Sequence, residues 1–419
     1  MAPSNQLPRF IAASGLTNLA DGVAMVVWAW VASLLTRDAL LIAMMPVALR
    51  LPWFLFALPA GIVTDRVDRR RLILAMDIAR GAAFVVAAIA VSVALPLPEP
   101  ADGATSSPTL FALLAVCALA VGTAEVFRDN AAQTMMPALV PPERLERANG
   151  RLWSVEIIGQ FLLGPTVGAF LIATILWLPF ALNGAAFLIA ATLIATLRPT
   201  PSAAPPKADR NWRRELGEGL SFLRDAPLLR LLAIITGVWN LFDQMVVIAL
   251  VLFVQEVLGL DAPGFGLILA ASAVGGILAG FVAEHIIRWL GPGRTAQWAL
   301  AASALTFALI PLVPNPVALA LILAGFEFIG LTWNTVSVSY RQRTIPAHLL
   351  GRVNSVYRLF AWGMMPIGLA LSGVIVSLAD GPLPREVALT MPFWVAGIGV
   401  IALSILCWRA LGRGFTRAG

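Results

Sequence analysis

Apolar runs of about 20 residues or more recur along this chain with only short polar breaks between them, and that pattern constrains the fold more than any motif. As a helix, such a run is about 30 Å long, the depth of a bilayer's hydrocarbon core. Inside hydrocarbon every backbone polar group needs a partner within the protein, so only helices and closed barrels can span it. The runs do not alternate as barrel strands would, which leaves helices. Apolar residues make up 59% of the 419 and charged residues only 12%, where a soluble domain has about 25% charged. A soluble enzyme is excluded, and the apolar residues suffice for about twelve spans of about 20 residues each.

The expected spans fall at 9–35, 39–63, 72–96, 108–128, 153–175 and 177–197, then at 228–256, 264–287, 296–313, 316–340, 355–379 and 390–411. With both termini on the cytoplasmic side, nearly all of the 29 basic residues lie in cytoplasmic segments. Arg37 and Arg385 alone fall on the opposite face, and Arg50 and Arg80 lie within spans. That bias follows the positive-inside rule and accounts for the net charge of +6 without any nucleic-acid partner. The first apolar run carries Asn18 and Asp21 and is too long for a cleaved leader, so it is expected to stay as the first helix.

Several chemistries are excluded at the outset. The single lysine, Lys207, is followed by Ala208 where a phosphate-cradling loop needs Ser or Thr. Cys117 and Cys407 sit within apolar runs, and His285 and His348 lie far apart at the ends of others. No metal site, disulfide framework or cofactor is expected, nor a nucleophile and base pair of the kind an enzyme would use.

Two halves repeat one another. Asn18 and Asp21 recur as Asn240 and Asp243, Gly61 and Asp65 as Gly280 and Glu284, and Val140, Pro141, Leu145, Arg147 and Asn149 as Ile345, Pro346, Leu350, Arg352 and Asn354. Between the halves, a Pro- and Ala-rich stretch leads into a mixed-charge segment, 211–223, that reads as a short amphipathic surface helix. The expected organisation is therefore a six-helix bundle over 1–198, a cytoplasmic linker over 199–226 and a second six-helix bundle over 227–419. An all-α integral membrane protein built from two parallel six-helix repeats is an architecture of secondary transporters, with the cargo site near mid-membrane. Small residues at Ala57 and Gly61, matched by Gly276 and Gly280, are expected to pack helices closely.

At the end of the second span the chain reads Gly61-Ile-Val-Thr-Asp65-Arg66-Val-Asp68-Arg69-Arg70-Arg71. This resembles the signature loop of the major facilitator superfamily, with Asp68 where the usual pattern has glycine. Arg50-Leu-Pro-Trp53 and the stretch from Pro137 to Gly164-Pro165 are similar to the branch holding enterobactin exporters and macrolide efflux proteins. The resemblance implies export of drugs or siderophores, and a cytoplasmic charge network in which Asp65, Arg66, Arg69 and Arg70 act as gate. Asp77, Arg80, Glu125, Asp129 and Glu156, expected at nearly the same depth, are its natural partners, since a gate needs ion pairs with two alternative arrangements. Gly159, Gly164-Pro165 and Gly168 look like the helix-five antiporter motif, with Ala169 in place of a further glycine; the repeat partner has Leu369 and Ala370 opposite Gly164 and Pro165.

Asp21, Arg50, Asp243 and Glu327 fall near the centres of spans, where a charge costs about 2.5 to 3.5 kcal/mol unless it faces a partner or a cavity. Arg50 can neutralise only one of the three acids. Asp21 and Asp243, each with an Asn three residues earlier, are the first candidates for carrying a proton, and Glu327 the next. Trp28, Trp30, Trp53, Trp239, Trp333 and Trp362 lie inside spans and are candidates to line a cavity. The expectation is a monomeric, proton-coupled exporter of small amphipathic molecules in the cell membrane. A lipid or lysophospholipid transporter of the same fold, and a non-transporting membrane sensor, are the alternatives.

Overall fold

The computed structural model describes residues 6–100, 104–140, 148, 151–152, 155–156, 158–197, 212–313, 315–346 and 349–418. The side chains of Asp65 and Arg66, the site at Gly61, and the linker segment up to 211 lie outside the described set. Among the described residues there is no strand, only the isolated bridges Thr36 to Thr105 and Asp380 to Leu383.

The helices are α1 (Gln6–Leu35), α2 (Ala39–Arg66), α3 (Arg69–Ala94), α4 (Pro108–Leu139), α5 (Gly164–Thr174), α6 (Leu178–Ala195) and α7 (Trp212–Asp225). They continue as α8 (Pro227–Leu252), α9 (Ala262–Leu290), α10 (Pro292–Leu309), α11 (Pro316–Thr344), α12 (Leu350–Gly363), α13 (Met365–Ala379) and α14 (Arg385–Ala418). Eleven described helical stretches are long and apolar enough to cross a membrane, and a twelfth apolar stretch, Ile158–Thr174, is shorter. Large apolar side chains stand on the outer surface, Trp289 at 83% exposure and Leu406 at 79%. Such a surface is a liability in water and the natural one in lipid.

Helix starts follow from the sequence. Asp38 accepts from the backbone N–H of Leu40 and Leu41 at 2.8 and 3.3 Å and opens α2; Asp261 accepts from Gly264 at 3.0 Å and opens α9. These two aspartates hold equivalent places in the two repeats. Asp68 accepts from the Arg71 N–H at 2.8 Å. The residue that departs from the family's glycine is thus an N-cap for α3, satisfying one of its unbonded donors.

The chain divides into two compact units, Met1–Arg210 and Asn211–Gly419. Their internal packing repeats. In the first, α2 lies on α4, α3 on α6 and α1 on α5; in the second, α9 lies on α11, α10 on α14 and α8 on α13. The α2–α4 and α9–α11 seams are close backbone contacts: a Cβ at Gly122 would collide with the Leu49 carbonyl, and one at Gly275 with that of Ala324. The expectation for Gly276 and Gly280 is not met, because both have open space where a side chain would stand. The close seam lies one residue earlier, on the adjoining face.

The fifth span is not a regular helix. Ile158–Leu163 forms a π-helical turn, after which α5 starts with Pro165 in its first turn. The eleventh span breaks at Met364 and restarts as α13 with Pro366 in its first turn. A proline thus opens the restarted helix in both spans, Pro165 in one and Pro366 in the other. Proline has no N–H to contribute to a helix interior, which makes the restart its favoured place.

α7 begins and ends close to the amphipathic segment expected from sequence, and it belongs with the second unit. It packs on α12, where Glu218 pairs with Arg352 and Gly219 lies against the Arg352 carbonyl.

Candidate functional site

Ionisable side chains gather inside the first unit. On α3, Asp77 and Arg80 are one turn apart; on α4, Glu125, Arg128 and Asp129 share a face at helical spacing. Packing of α3 on α4 brings the two sets together. Asp77 and Arg80 are fully buried, Arg128 is 3% exposed and Glu125 6%.

Two groups of ion pairs result. In one, Arg80 pairs with Asp21 of α1, lies 4.0 Å from Glu125, and stacks its guanidinium on the Phe187 ring at 4.0 Å; Arg50 of α2 reaches Glu125 at 3.5 Å. Two arginines balance two carboxylates there. In the other, Arg128 lies 3.4 Å from Asp77 and 3.5 Å from Asp129, and donates to the Ser14 hydroxyl at 3.4 Å. One cation is shared there by two acids. Buried pairs of this kind recover through mutual attraction the large cost of leaving water, so removing one member leaves an uncompensated charge.

This arrangement corrects two expectations. Within its unit Arg50 pairs with Glu125 rather than with Asp21, and Asp21 is not left without a cation, because Arg80 supplies one. Arg80 and Glu125, expected at a cytoplasmic gate, and Asp21 and Arg50, expected at mid-membrane, fall in one group of ion pairs. Asn18 does not support Asp21; it donates to the Ser14 carbonyl on its own helix at 2.8 Å. Sequence reasoning missed Arg128, which it counted with the topology-setting arginines. The available signal was its spacing from Glu125, one turn away on the same face.

The remaining gate candidates have varied surroundings. Arg70 donates to the carbonyls of Ile194, at 3.1 Å, and of Ala195, anchoring the carboxyl end of α6 where free carbonyls favour a cation. Arg69 and Glu156 are half-buried. Gly159, Gly164 and Gly168 all face α1: a Cβ at Gly164 would come within 2.5 Å of the Gly22 Cα, and one at Gly168 within 2.8 Å of the Val23 carbonyl. The helix-five glycines therefore form a packing seam beside the π-helical turn.

The second unit is built differently. Asn240 donates across to the Ala361 carbonyl of α12 at 2.8 Å, so the repeated Asn makes a contact that Asn18 does not. Asp243 accepts from Gln244 at 2.9 Å, and among the described residues of its unit no basic side chain pairs with it. Glu327 on α11 lies close enough to Asp243 for their charges to interact, and it too has no basic partner among the described residues of its unit. The same two helices, α8 and α11, also carry aromatic and hydroxyl groups. Trp239 stacks on Phe326 with centroids 5.4 Å apart and donates to the Ser303 hydroxyl at 3.1 Å. The Tyr357 hydroxyl meets Thr236 at 2.8 Å and Ser337 at 3.0 Å, and donates to the Leu232 carbonyl at 3.2 Å. A small cavity is lined by Trp239, Ser303, Gly330 and Trp333. By contrast Trp28, 2% exposed, packs among Phe84 and Phe180 and Trp30 is 6% exposed, so these two candidates are core residues.

The sequence profile described as Major Facilitator Superfamily matches residues 10–369. The chain is 28% identical over 432 residues to the multidrug efflux pump Tap of Mycobacterium tuberculosis, covering 97% of this chain and 96% of Tap. It is 26% identical over 368 residues to the enterobactin exporter EntS of Salmonella typhimurium, covering 86% and 81%. Among solved structures it is similar to a variant of the nucleoside transporter NupG, with a TM-score of 0.76, 13% identity and coverage of 97% and 100%. A bacterial homologue of the iron transporter ferroportin gives a TM-score of 0.75 at 16% identity, with coverage of 98% and 100%. At these identities the solved structures speak for the fold alone.

Proposed function

Because the chain belongs to the major facilitator superfamily, we propose that it is a proton-coupled exporter, exchanging protons for small amphipathic molecules such as drugs or siderophores by alternating access of its two halves. It is a multi-pass membrane transporter of small molecules and not an enzyme. Export is supported by similarity over nearly the whole chain to a multidrug efflux pump and by the shorter match to an enterobactin exporter. We place it as a monomer in the cell membrane with both termini cytoplasmic, following the arginine bias.

The observation that carries proton coupling is the acid pair Asp243 and Glu327. Neither has a basic partner among the described residues of its unit, and a mid-span carboxyl without a counter-ion can be neutralised by a proton from one side and discharged to the other. Asp21 is a weaker carrier, since Arg80 occupies it. A second candidate is the shared Arg128 site, where Asp77 and Asp129 outnumber the cation. Asp65, Arg66, Arg69 and Arg70 are assigned to the cytoplasmic gate, whose ion pairs form in one state and part in the other.

The test uses purified protein in liposomes under an imposed pH gradient, following uptake of a fluorescent cationic dye and, separately, internal pH. Wild type should drive dye against the proton gradient. Asp243→Asn or Glu327→Gln should leave a folded protein whose proton flux no longer follows dye. Proton-coupled dye movement that survives both substitutions together would remove these two acids from the mechanism; folded wild type that moves neither dye nor protons would remove multidrug export.

A further inference from the structure

The outer face of the second unit carries a groove between α10 and α14. It has a volume of about 700 Å³ and is lined by Ala301, Ala304, Ile401, Ile405 and Leu406, ending at Trp408 and Arg409. The two helices close above and below it. At one end Gly397 lies 3.5 Å, from where its Cβ would be, from Ala308; at the other, Gln297 donates to the Trp408 carbonyl at 2.6 Å and Gly293 meets Phe415. The small side chains of Ala301 and Ala304 form the floor, while Ile405, 71% exposed, and Leu406, 79% exposed, form a wall.

The polar end is chemically distinct. Trp298 and Trp408 meet edge to face with centroids 5.5 Å apart, and Trp298 is 59% exposed. Tryptophans so placed mark the level of lipid headgroups. Arg294, Arg409 and Arg413 are exposed at the same end, and none has an acidic partner among the described residues. Elsewhere in this unit arginines do find acids, as the exposed Arg288 finds Glu284 and the half-buried Arg385 finds Glu256. A channel of hydrocarbon character ending in aromatic rings and unpaired guanidinium groups matches one molecule of the surrounding bilayer, with an acyl chain along the groove and a phosphate at its basic end.

We infer that the α10–α14 groove is a binding site for an anionic diacyl phospholipid, with Arg409 holding the headgroup phosphate and Trp298 and Trp408 flanking it. The site lies within the second unit and is independent of cargo and coupling.

Native mass spectrometry of the full-length protein, released from micelles holding equal amounts of phosphatidylglycerol and phosphatidylcholine, tests it. Wild type should retain one phosphatidylglycerol in about fivefold preference over phosphatidylcholine, the contribution of one basic side chain near a lipid surface. Arg409→Gln should abolish the preference and Arg409→Lys should keep most of it. Ala301→Phe, which fills the groove and leaves the arginine, should lower retention of both lipids. Arg343→Gln, at the exposed end of α11, should change nothing. No preference in wild type, or an equal loss in the Arg343 and Arg409 variants, would overturn the site in favour of diffuse surface attraction.

Discussion

The two units share a packing plan and differ in what they bury. In the first, α3 and α4 hold carboxylates and guanidiniums against one another, with Asp77 and Arg80 wholly inside. In the second, the equivalent α10 and α11 contribute Ser303, Phe307 and Phe326 to an aromatic and hydroxyl cluster, and the acids Asp243 and Glu327 stand without a basic partner among the described residues of their unit. Duplication preserves the helix seams, because close backbone approach leaves few alternatives. It does not preserve the interior chemistry. One half pairs its buried acids with arginines, three cations for four carboxylates; the other holds two carboxyls with no basic partner among the described residues of their unit.

That contrast can be broken most severely at Arg80. Replacing it with leucine strands Asp21 beside Glu125 and removes the stack on Phe187, which should destabilise the protein by about 3–5 kcal/mol, read as a lower unfolding midpoint in detergent. If Arg80→Leu unfolds no more readily than Asp243→Asn, the first unit does not depend on its ion pairs. Next is Tyr357→Phe, which deletes a hydroxyl with three partners in the second unit and should cost about 1 kcal/mol by the same measurement. A smaller effect is expected at the surface: Glu218→Gln breaks the pair with Arg352 and should weaken the docking of α7 by about 0.5 kcal/mol, visible as faster amide exchange confined to Trp212–Asp225. Smallest in stability is Asp243→Asn, within about 0.5 kcal/mol of wild type because no ion pair is lost. Its effect should appear in proton flux instead, and a large stability loss there would reveal a structural role.

Much of this was legible in the sequence. Apolar run length located the spans, and a change of composition located α7 within two residues at either end. Repeated residues revealed the duplication. What the sequence did not disclose is which charges meet. Asp21, Arg50, Arg80 and Glu125 belong to four helices, and depth along a span says nothing about the azimuth at which each side chain leaves it. The same ambiguity moved the close seam from Gly275 to Gly276 and concealed Arg128 among arginines that set topology. Irregular backbone was hidden for another reason. A π-helical turn adds one residue without changing hydrophobic character, so Ile158–Leu163 reads as ordinary helix.

The glycine seams also set a boundary on how such a protein can drift. At Gly122 and Gly275 even alanine would push a methyl group into a facing carbonyl, so a library of variants selected for folding should return these two positions nearly empty of alternatives. Gly276 and Gly280, with nothing opposite, should fill with other small residues. The wall of each bundle is thereby divided into a fixed register and a permissive lining, and a lineage can change the lining by single steps while the register stays as the duplication left it.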